Sequence, residues 1–388
     1  MEKSKINKNV LLTGFTSFFT DISSEMIYPV LPFFLRSVLG VTPAVVGIIE
    51  GIAESTAALS KTYFGKIADR LKHYKEMAIM GYLFSALSKI ILVFANAWFY
   101  VLSARFLDRI GKGIRTAPRD IIISESVEKE KRGIAFGIQR SMDFFGAFLG
   151  VLISYFIIRF FISEQSYIGL YKNIFLFSLI PAFFGVIFLF FIIIPKTLKD
   201  LKKQEVQTKS KVLNTKLKLF LLGTIIFALG NSSNQFLLLR SQDVGFTLLN
   251  SILLYLIYNV TSSIFSPVFG KVSDKLGKKK VIIIGYGLYT LVYLSFGLFS
   301  KIWIYPIIWF LYGIYSAMTE GVEKAFVSDL SLKENRGFSL GLFSTIVGIG
   351  VLPASLIAGV LYTFIGAYAP FVLGGILSVL SVVVILFI

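Results

Sequence analysis

Gly65-Lys66-Ile67-Ala68-Asp69-Arg70-Leu71, followed by Lys72, His73 and Lys75, is a short charged stretch squeezed between two long apolar runs. About 205 residues later the chain reads Gly270-Lys271-Val272-Ser273-Asp274-Lys275-Leu276-Gly277-Lys278-Lys279-Lys280, again between apolar runs. The correspondence continues beyond the stretch itself. Arg132-Gly133 follows Ser124-Glu125, and Arg336-Gly337 follows Ser328-Asp329, at nearly the same separation. The repeat therefore relates two halves of the chain, not two loops.

Composition sets the solvent of those halves. Hydrophobic residues make up 55% of the 388, aromatic residues 15% and charged residues only 16%, too few to coat a water-soluble protein of this size. A hydrocarbon layer of ~30 Å takes roughly 20 helical residues, and lipid-exposed loops are excluded because their backbone polar groups would go unpaired. Runs of that length predict twelve spans. The first six cover Val10 to Arg36, Ala44 to Gly65, Glu76 to Ala95, Trp98 to Ser124, Gly133 to Phe160 and Tyr171 to Pro195. The second six cover Leu217 to Ser241, Leu248 to Gly270, Val281 to Ser300, Trp303 to Leu330, Gly337 to Tyr362 and Gly366 to Ile388.

A net charge of +17 raises nucleic acid as a partner, but its distribution argues against one. Cations gather at Lys3, Lys5 and Lys8, around both charged stretches, at Lys129 to Arg132, at eight positions from Lys196 to Lys218, and at Lys333 and Arg336. The opposite connections hold only Arg36, Arg159, Lys172, Arg240 and Lys301. This is the positive-inside pattern, which predicts a multi-pass protein of the inner (cytoplasmic) cell membrane with both termini in the cytoplasm. The lipid bilayer is its expected partner and nucleic acid is not. The basic stretch Met1 to Asn9 leads into a full span without a small-residue cleavage site, so the first helix is expected to stay.

The side-chain inventory removes several kinds of chemistry. There is no cysteine, His73 is the only histidine, and no Gly-rich loop leads to Lys-Ser/Thr, so no metal cluster, cofactor, thiol or histidine-based catalysis or nucleotide cradle is expected. An enzyme is not expected. Asn231 and Asn259 match the glycosylation pattern but fall inside apolar runs. The Lys-rich segment 196–216 reads as a cytoplasmic linker between a bundle over 1–195 and another over 217–388.

In these residues the chain resembles the major facilitator superfamily, whose members carry Gly-x-x-x-Asp-Arg/Lys-x-Gly-Arg/Lys-Arg/Lys between the second and third helices. Gly65, Asp69 and Arg70 match, with Lys72 where the family usually has Gly; Gly270, Asp274, Lys275, Gly277, Lys278 and Lys279 match in full. The resemblance implies an all-α membrane protein of twelve helices in two pseudo-symmetric six-helix bundles, a central cavity and alternating access. It also implies that the motif aspartate latches the cytoplasmic ends of the halves. A helix N-terminus favours a nearby carboxylate. Pseudo-symmetry assigns Asp69 to the helix start at Gly337 and Asp274 to the one at Gly133.

Ionisable residues inside spans are costly and point to function. At ~100° per residue, Arg105, Arg109, Lys112, Thr116 and Arg119 of the fourth span share one face. The family's fourth helix commonly has Arg-x-x-Gln-Gly; Arg105 matches, and Asp108 and Arg109 replace the Gln and Gly. Carboxylates on other spans, Asp21, Glu25, Glu50, Glu54 and Asp143, are available to neutralise the stripe. Arg109, Lys112, Arg115, Arg119 and Asp120, with Glu320 and Glu323 in the second half, are read as an ion-pair network. Asp21, Glu25, Glu54, Arg105 and Asp143 are read as candidate substrate or proton sites, Glu25 and Glu54 foremost for the proton. Asn231, Asn234 and Gln235 in the seventh span and Tyr258 in the eighth are too polar to face lipid and are assigned to the cavity. Gly146 with Gly150, and Gly81 with Ser85, read instead as close helix packing.

The sequence thus predicts a secondary transporter of a small solute, coupled to protons and exporting by family resemblance, for which a monomer suffices. Uptake or exchange of an organic anion is the alternative that the Arg/Lys stripe suggests, with a membrane enzyme or receptor as remote rivals.

Overall fold

The computed structural model describes residues 7–128, 132–161, 167–194, 213–331 and 336–388, except for the side chains of Lys66, Asp69, Arg132, Gly133, Ile134, Tyr167, Arg336 and Gly337. The described residues are almost entirely helical and include no strand. The helices are α1 (Lys8–Ile27), α2 (Pro43–Leu71), α3 (Tyr74–Val93), α4 (Trp98–Glu125), α5 (Arg132–Phe161) and α6 (Tyr167–Phe190). They continue with α7 (Thr215–Gly230), α8 (Gln235–Asp243), α9 (Leu248–Leu276), α10 (Lys278–Leu298), α11 (Tyr305–Leu330), α12 (Arg336–Phe364) and α13 (Ala369–Leu386).

Local chemistry sets many of the ends. Asn7, Asn214 and Thr247 cap α1, α7 and α9 by accepting a first-turn backbone N–H through their side-chain oxygens. The two charged stretches end their helices alike. Lys72 and Gly277 stand in the same place of the repeat, both with positive φ (+56° and +92°), and their N–H groups donate to Ala68 and Ser273. Gly277 adopts that conformation freely, whereas Lys72 pays for a Cβ in the left-handed region. Lys72→Gly is therefore expected to raise stability by up to about 1 kcal/mol, and Gly277→Ala to lower it by a similar amount, in denaturation of the purified protein.

Two expected spans are interrupted. The first breaks at 28–30 and resumes as a short helical segment ending in a π-turn, Phe34–Val38. The seventh breaks at 231–234, dividing α7 from α8. Pro29 lacks an N–H and clashes with the carbonyl four residues back, which opens the first. Asn231, Ser232, Ser233 and Asn234 offer the backbone local side-chain bonds instead of helical ones, which opens the second. Ser233 Oγ accepts from the Gln235 N–H (3.4 Å), and the Tyr289 hydroxyl donates to the carbonyl of Gly230 (3.0 Å). Polarity at 231–235 was legible in the sequence, and its consequence for helix continuity was not.

By length and composition, nine described segments are apolar enough to cross a membrane. The first, second and fourth expected spans, which hold most of the intramembrane charge, are not among them. Many apolar side chains lie bare on the surface, including Phe160, Leu291 and Phe364. An outer surface of this kind belongs in lipid, and the protein is a multi-pass membrane protein.

By contact, the chain groups into two units: residues 1–31 with 56–207, and 32–55 with 208–388. The chain passes from the first to the second just after the break at 28–30, and α2 belongs to the second through Ser55 and to the first from Thr56. In the first unit α4 packs on α3, and α1 lies against α5 and α6. Small residues set these distances. A Cβ on Gly146 or Gly150 would fall 2.4 Å from the carbonyl oxygens of Phe18 or Ile22 in α1, so these glycines mark packing as expected. In the second unit α9 packs on α11, and α13 on both α10 and α7. Trp309, Tyr286, Tyr289, Tyr293 and Phe296 fill its core. The start of α2 joins that unit through Gly47 and Gly51, which lie against the backbone of Ser355 and Leu352 in α12. The predicted linker falls on residues that, through 212, lie outside the described ones.

Candidate functional site

In the first unit, α1, α3, α4 and α5 bring their polar side chains together. Ser17 Oγ is the hub: it receives Arg119 Nη1 (3.1 Å) and Gln139 Nε2 (3.2 Å) and lies 3.3 Å from the Tyr82 hydroxyl. Gln139 Nε2 also donates to both oxygens of Asp143 at 2.7 Å, and Arg119 pairs with Asp120 at 2.9 Å. Asp143 lies in the field of Arg119, and Arg140 reaches it at 3.9 Å. Asp21, one turn along α1 from Ser17, has Asp143, Arg115, Lys112 and Glu25 as its electrostatic neighbours. Asp21, Glu25, Asp143, Arg115 and Arg119 are thus brought into one cluster, with Asp120 at its edge.

A second group lies further along the α3–α4 seam. Arg109 Nη1 is 3.7 Å from Asp108, and Arg105 stands over the Tyr28 ring at 5.6 Å. Arg115 stacks on Tyr82 with 4.3 Å from guanidinium carbon to ring centre. Beside them is Lys89, 3% exposed, whose Nζ donates to Ser85 O at 3.2 Å. The sequence reading passed over Lys89. The signal was present as one lysine in the middle of an otherwise uncharged run, Met77 to Trp98.

The helical-wheel stripe is only partly a structural face. Arg105 and Arg109 are buried and Arg119 half-buried, but Lys112 is exposed, while Arg115, off the stripe, is buried. The remaining members of the predicted ion-pair network lie in the second unit. Glu320 accepts from the Ser316 hydroxyl at 2.8 Å, and Glu323 faces Tyr286 and Tyr315.

The residues assigned to the cavity gather around the α7–α8 break. Tyr312 donates to Asn234 Oδ1 at 2.7 Å and stacks on Tyr258 with ring centres 5.0 Å apart. Tyr289 lies 3.5 Å from Asn231 Oδ1. Gln235 is fully buried, and neither end of its amide has a hydrogen-bond partner among the described residues. A buried amide in this state marks a place for water or a ligand group. Glu50 is also fully buried and accepts from Ser233 Oγ at 3.2 Å, whereas Glu54, the residue favoured from sequence, is only half-buried. The second unit therefore combines an aromatic platform with amides, hydroxyls and the buried carboxylate of Glu50.

Of the motif residues, Gly65 lies 3.8 Å, measured from an added Cβ, from the Ala117 side chain, and Arg70 is exposed at the end of α2. The Asp69 side chain lies outside the described residues. In the second copy no described residue lies within 4 Å of a Cβ added at Gly270, Lys275 is exposed, and Asp274 Oδ1 is 3.8 Å from Lys278, which also reaches Asp329 at 2.6 Å.

The Major Facilitator Superfamily model matches residues 13–221 and 219–388. The uncharacterized MFS-type transporter MJ1317 of Methanocaldococcus jannaschii is 39% identical over 390 residues, covering 99% of this chain and 96% of that protein. The multidrug resistance protein MdtG of Proteus mirabilis is 26% identical over 340 residues, covering 81% and 80%. Among solved structures, that of the nucleoside transporter NupG matches with TM-score 0.78 at 13% identity, covering 98% of both chains.

Proposed function

The chain belongs to the Major Facilitator Superfamily of secondary transporters, and on that premise we propose that it exports a small solute across the cell membrane in exchange for protons. The observation that carries the coupling is the cluster of Asp21, Glu25 and Asp143 among Arg115, Lys112 and Arg119 within the first unit. Carboxylates that share a partly buried site with cations can exchange a proton for a change of partner. Export is supported by relatives named for multidrug resistance and efflux. The rocking bodies are 1–195 and 217–388, joined by 196–216, with both termini cytoplasmic. Gly65, Asp69 and Arg70 in one copy, and Gly270, Asp274, Lys275 and Gly277 in the other, bias the closed cytoplasmic end. The Asn231, Asn234, Gln235 and Tyr258 group supplies neutral polar and stacking contacts to the solute.

The test is purified protein in sealed lipid vesicles with an imposed proton gradient, following internal pH while cationic, neutral and anionic solutes are added. A solute-dependent proton flux that is lost in Asp143→Asn and Glu25→Gln, and slowed in Asp69→Asn, is the expected result. Solute movement that proceeds without proton flux would replace this reading with an uncoupled uniporter or exchanger.

A further inference from the structure

We propose that Lys89 and Arg115 form an anion-binding site inside the first unit that takes a carboxylate or phosphate group of the transported solute. The proposal rests on the transport reading above and adds the chemical class of the cargo. Both cations are buried, at 3% and 7% exposure, on helices that pack together in a membrane protein. Among the described residues, neither has a carboxylate oxygen within the 4.0 Å of an ion pair. Among the described residues Lys89 makes one hydrogen bond, to a carbonyl of its own helix, out of the three its ammonium can donate. Arg115 makes no hydrogen bond to the described residues; it is held by stacking on Tyr82, and its Nη1 is fully enclosed with no acceptor.

Buried cations in membrane proteins normally find a carboxylate to neutralise them, because leaving the charge without one costs far more than an exposed pair returns, and the one carbonyl that Lys89 reaches is neutral. Here the carboxylates are close enough to be felt but not to bind. Asp108 and Asp21 contribute to the field at Lys89, alongside Arg109 and Arg115. Arg115 and Lys112 contribute to the field at Asp21. Asp108 offsets part of the cost of burying Lys89 while its own Oδ1 has no donor among the described residues. The seam is too tight for α3 and α4 to slide together and close these gaps. Gly81 and Gly111 already bring the two backbones into contact, and Ser85 donates to the carbonyl of Asp108 at 3.3 Å. What completes the site is therefore an oxyanion supplied from outside, for which a guanidinium and an ammonium are the matching donors.

The experiment measures thermal unfolding of the full-length protein in neutral detergent while inorganic phosphate or succinate is titrated at constant ionic strength with choline chloride. A saturable rise in melting temperature with at least one of the two is expected, because an anion that binds the folded state stabilises it by mass action. In Lys89→Met and Arg115→Gln the rise is expected to disappear. Should these fail to give monodisperse protein, Lys89→Arg and Arg115→Lys keep the charge and are expected to move the titration midpoint at least threefold. No saturable rise with either anion, or an unchanged midpoint in all variants that fold, overturns the site. Because binding is read without transport, its loss beside an intact proton flux removes this inference alone. Anion binding without any flux removes only the coupling.

Discussion

Gly111→Val is expected to yield almost no monodisperse, folded protein. A Cβ at Gly111 would lie 2.5 Å from the carbonyl oxygen of Gly81 and 3.0 Å from the backbone nitrogen of Ser85, and one at Gly81 would lie 2.6 Å from the carbonyl oxygen of Gly111. The obstructing atoms are backbone, so no rotamer change relieves the overlap, and α3 and α4 must separate. Overpacking where side chains can adjust costs about 1–3 kcal/mol, and a clash between two main chains lies at or beyond the top of that range. The Gly81–Gly111 crossing is also the most extensive helix pair in the first unit, so its loss propagates. Gly287→Val in α10 is the control, since none of the described residues lies within 4 Å of its Cβ position, and it is expected to behave as the parent does. Fluorescence-detected size exclusion and a melting curve on the three proteins decide the matter. A Gly111→Val peak and melting curve like the parent's would mean that the crossing is looser than its geometry says.

The same crossing shows what could be read from sequence and what could not. Twelve hydrophobic runs, the duplicated Gly65 and Gly270 stretches and the positive-inside pattern are one-dimensional signals, and they sufficed for fold class and family. Lys72 illustrates a subtler limit. As a residue it breaks the motif, yet its backbone keeps the left-handed geometry of Gly277, so the conformation outlasts the residue that best suits it. Side-chain partnership proved hardest to read. A helical wheel put Lys112 with Arg105 and Arg109, but the neighbouring helices leave Lys112 exposed and enclose Arg115, because tight packing along α3 selects a different face of α4. Lys89 escaped notice because a single charge carries no periodicity. Only the antiparallel register of α3 on α4 makes it a neighbour of Asp108.

Arg119→Met tests whether the hub around Ser17 is one network or several independent contacts. Arg119 serves three groups: it pairs with Asp120 at 2.9 Å, donates to Ser17 at 3.1 Å and offsets the charge of Asp143, which is 9% exposed. Removing one partner from a buried pair typically costs about 3–5 kcal/mol. Asp120 has a side chain 39% exposed and can be rehydrated, so the expected loss is smaller, about 2–3 kcal/mol. Most of that loss falls on Asp143, which keeps Gln139, Ser17 and the distant Arg140 but loses its guanidinium neighbour on α4. Asp143→Asn alone strands Arg119 less severely, because Asp120 and Ser17 remain. The double variant Arg119→Met/Asp143→Asn is therefore expected to lose about 1–2 kcal/mol less than the sum of the two single losses, the coupling usual for charges in one network. Denaturation of the four proteins of the cycle gives that number directly. Strict additivity would separate Asp143 from Arg119. A proton bound at Asp143 would then reach the cations of α4 through Asp21 and Arg115 rather than through Arg119.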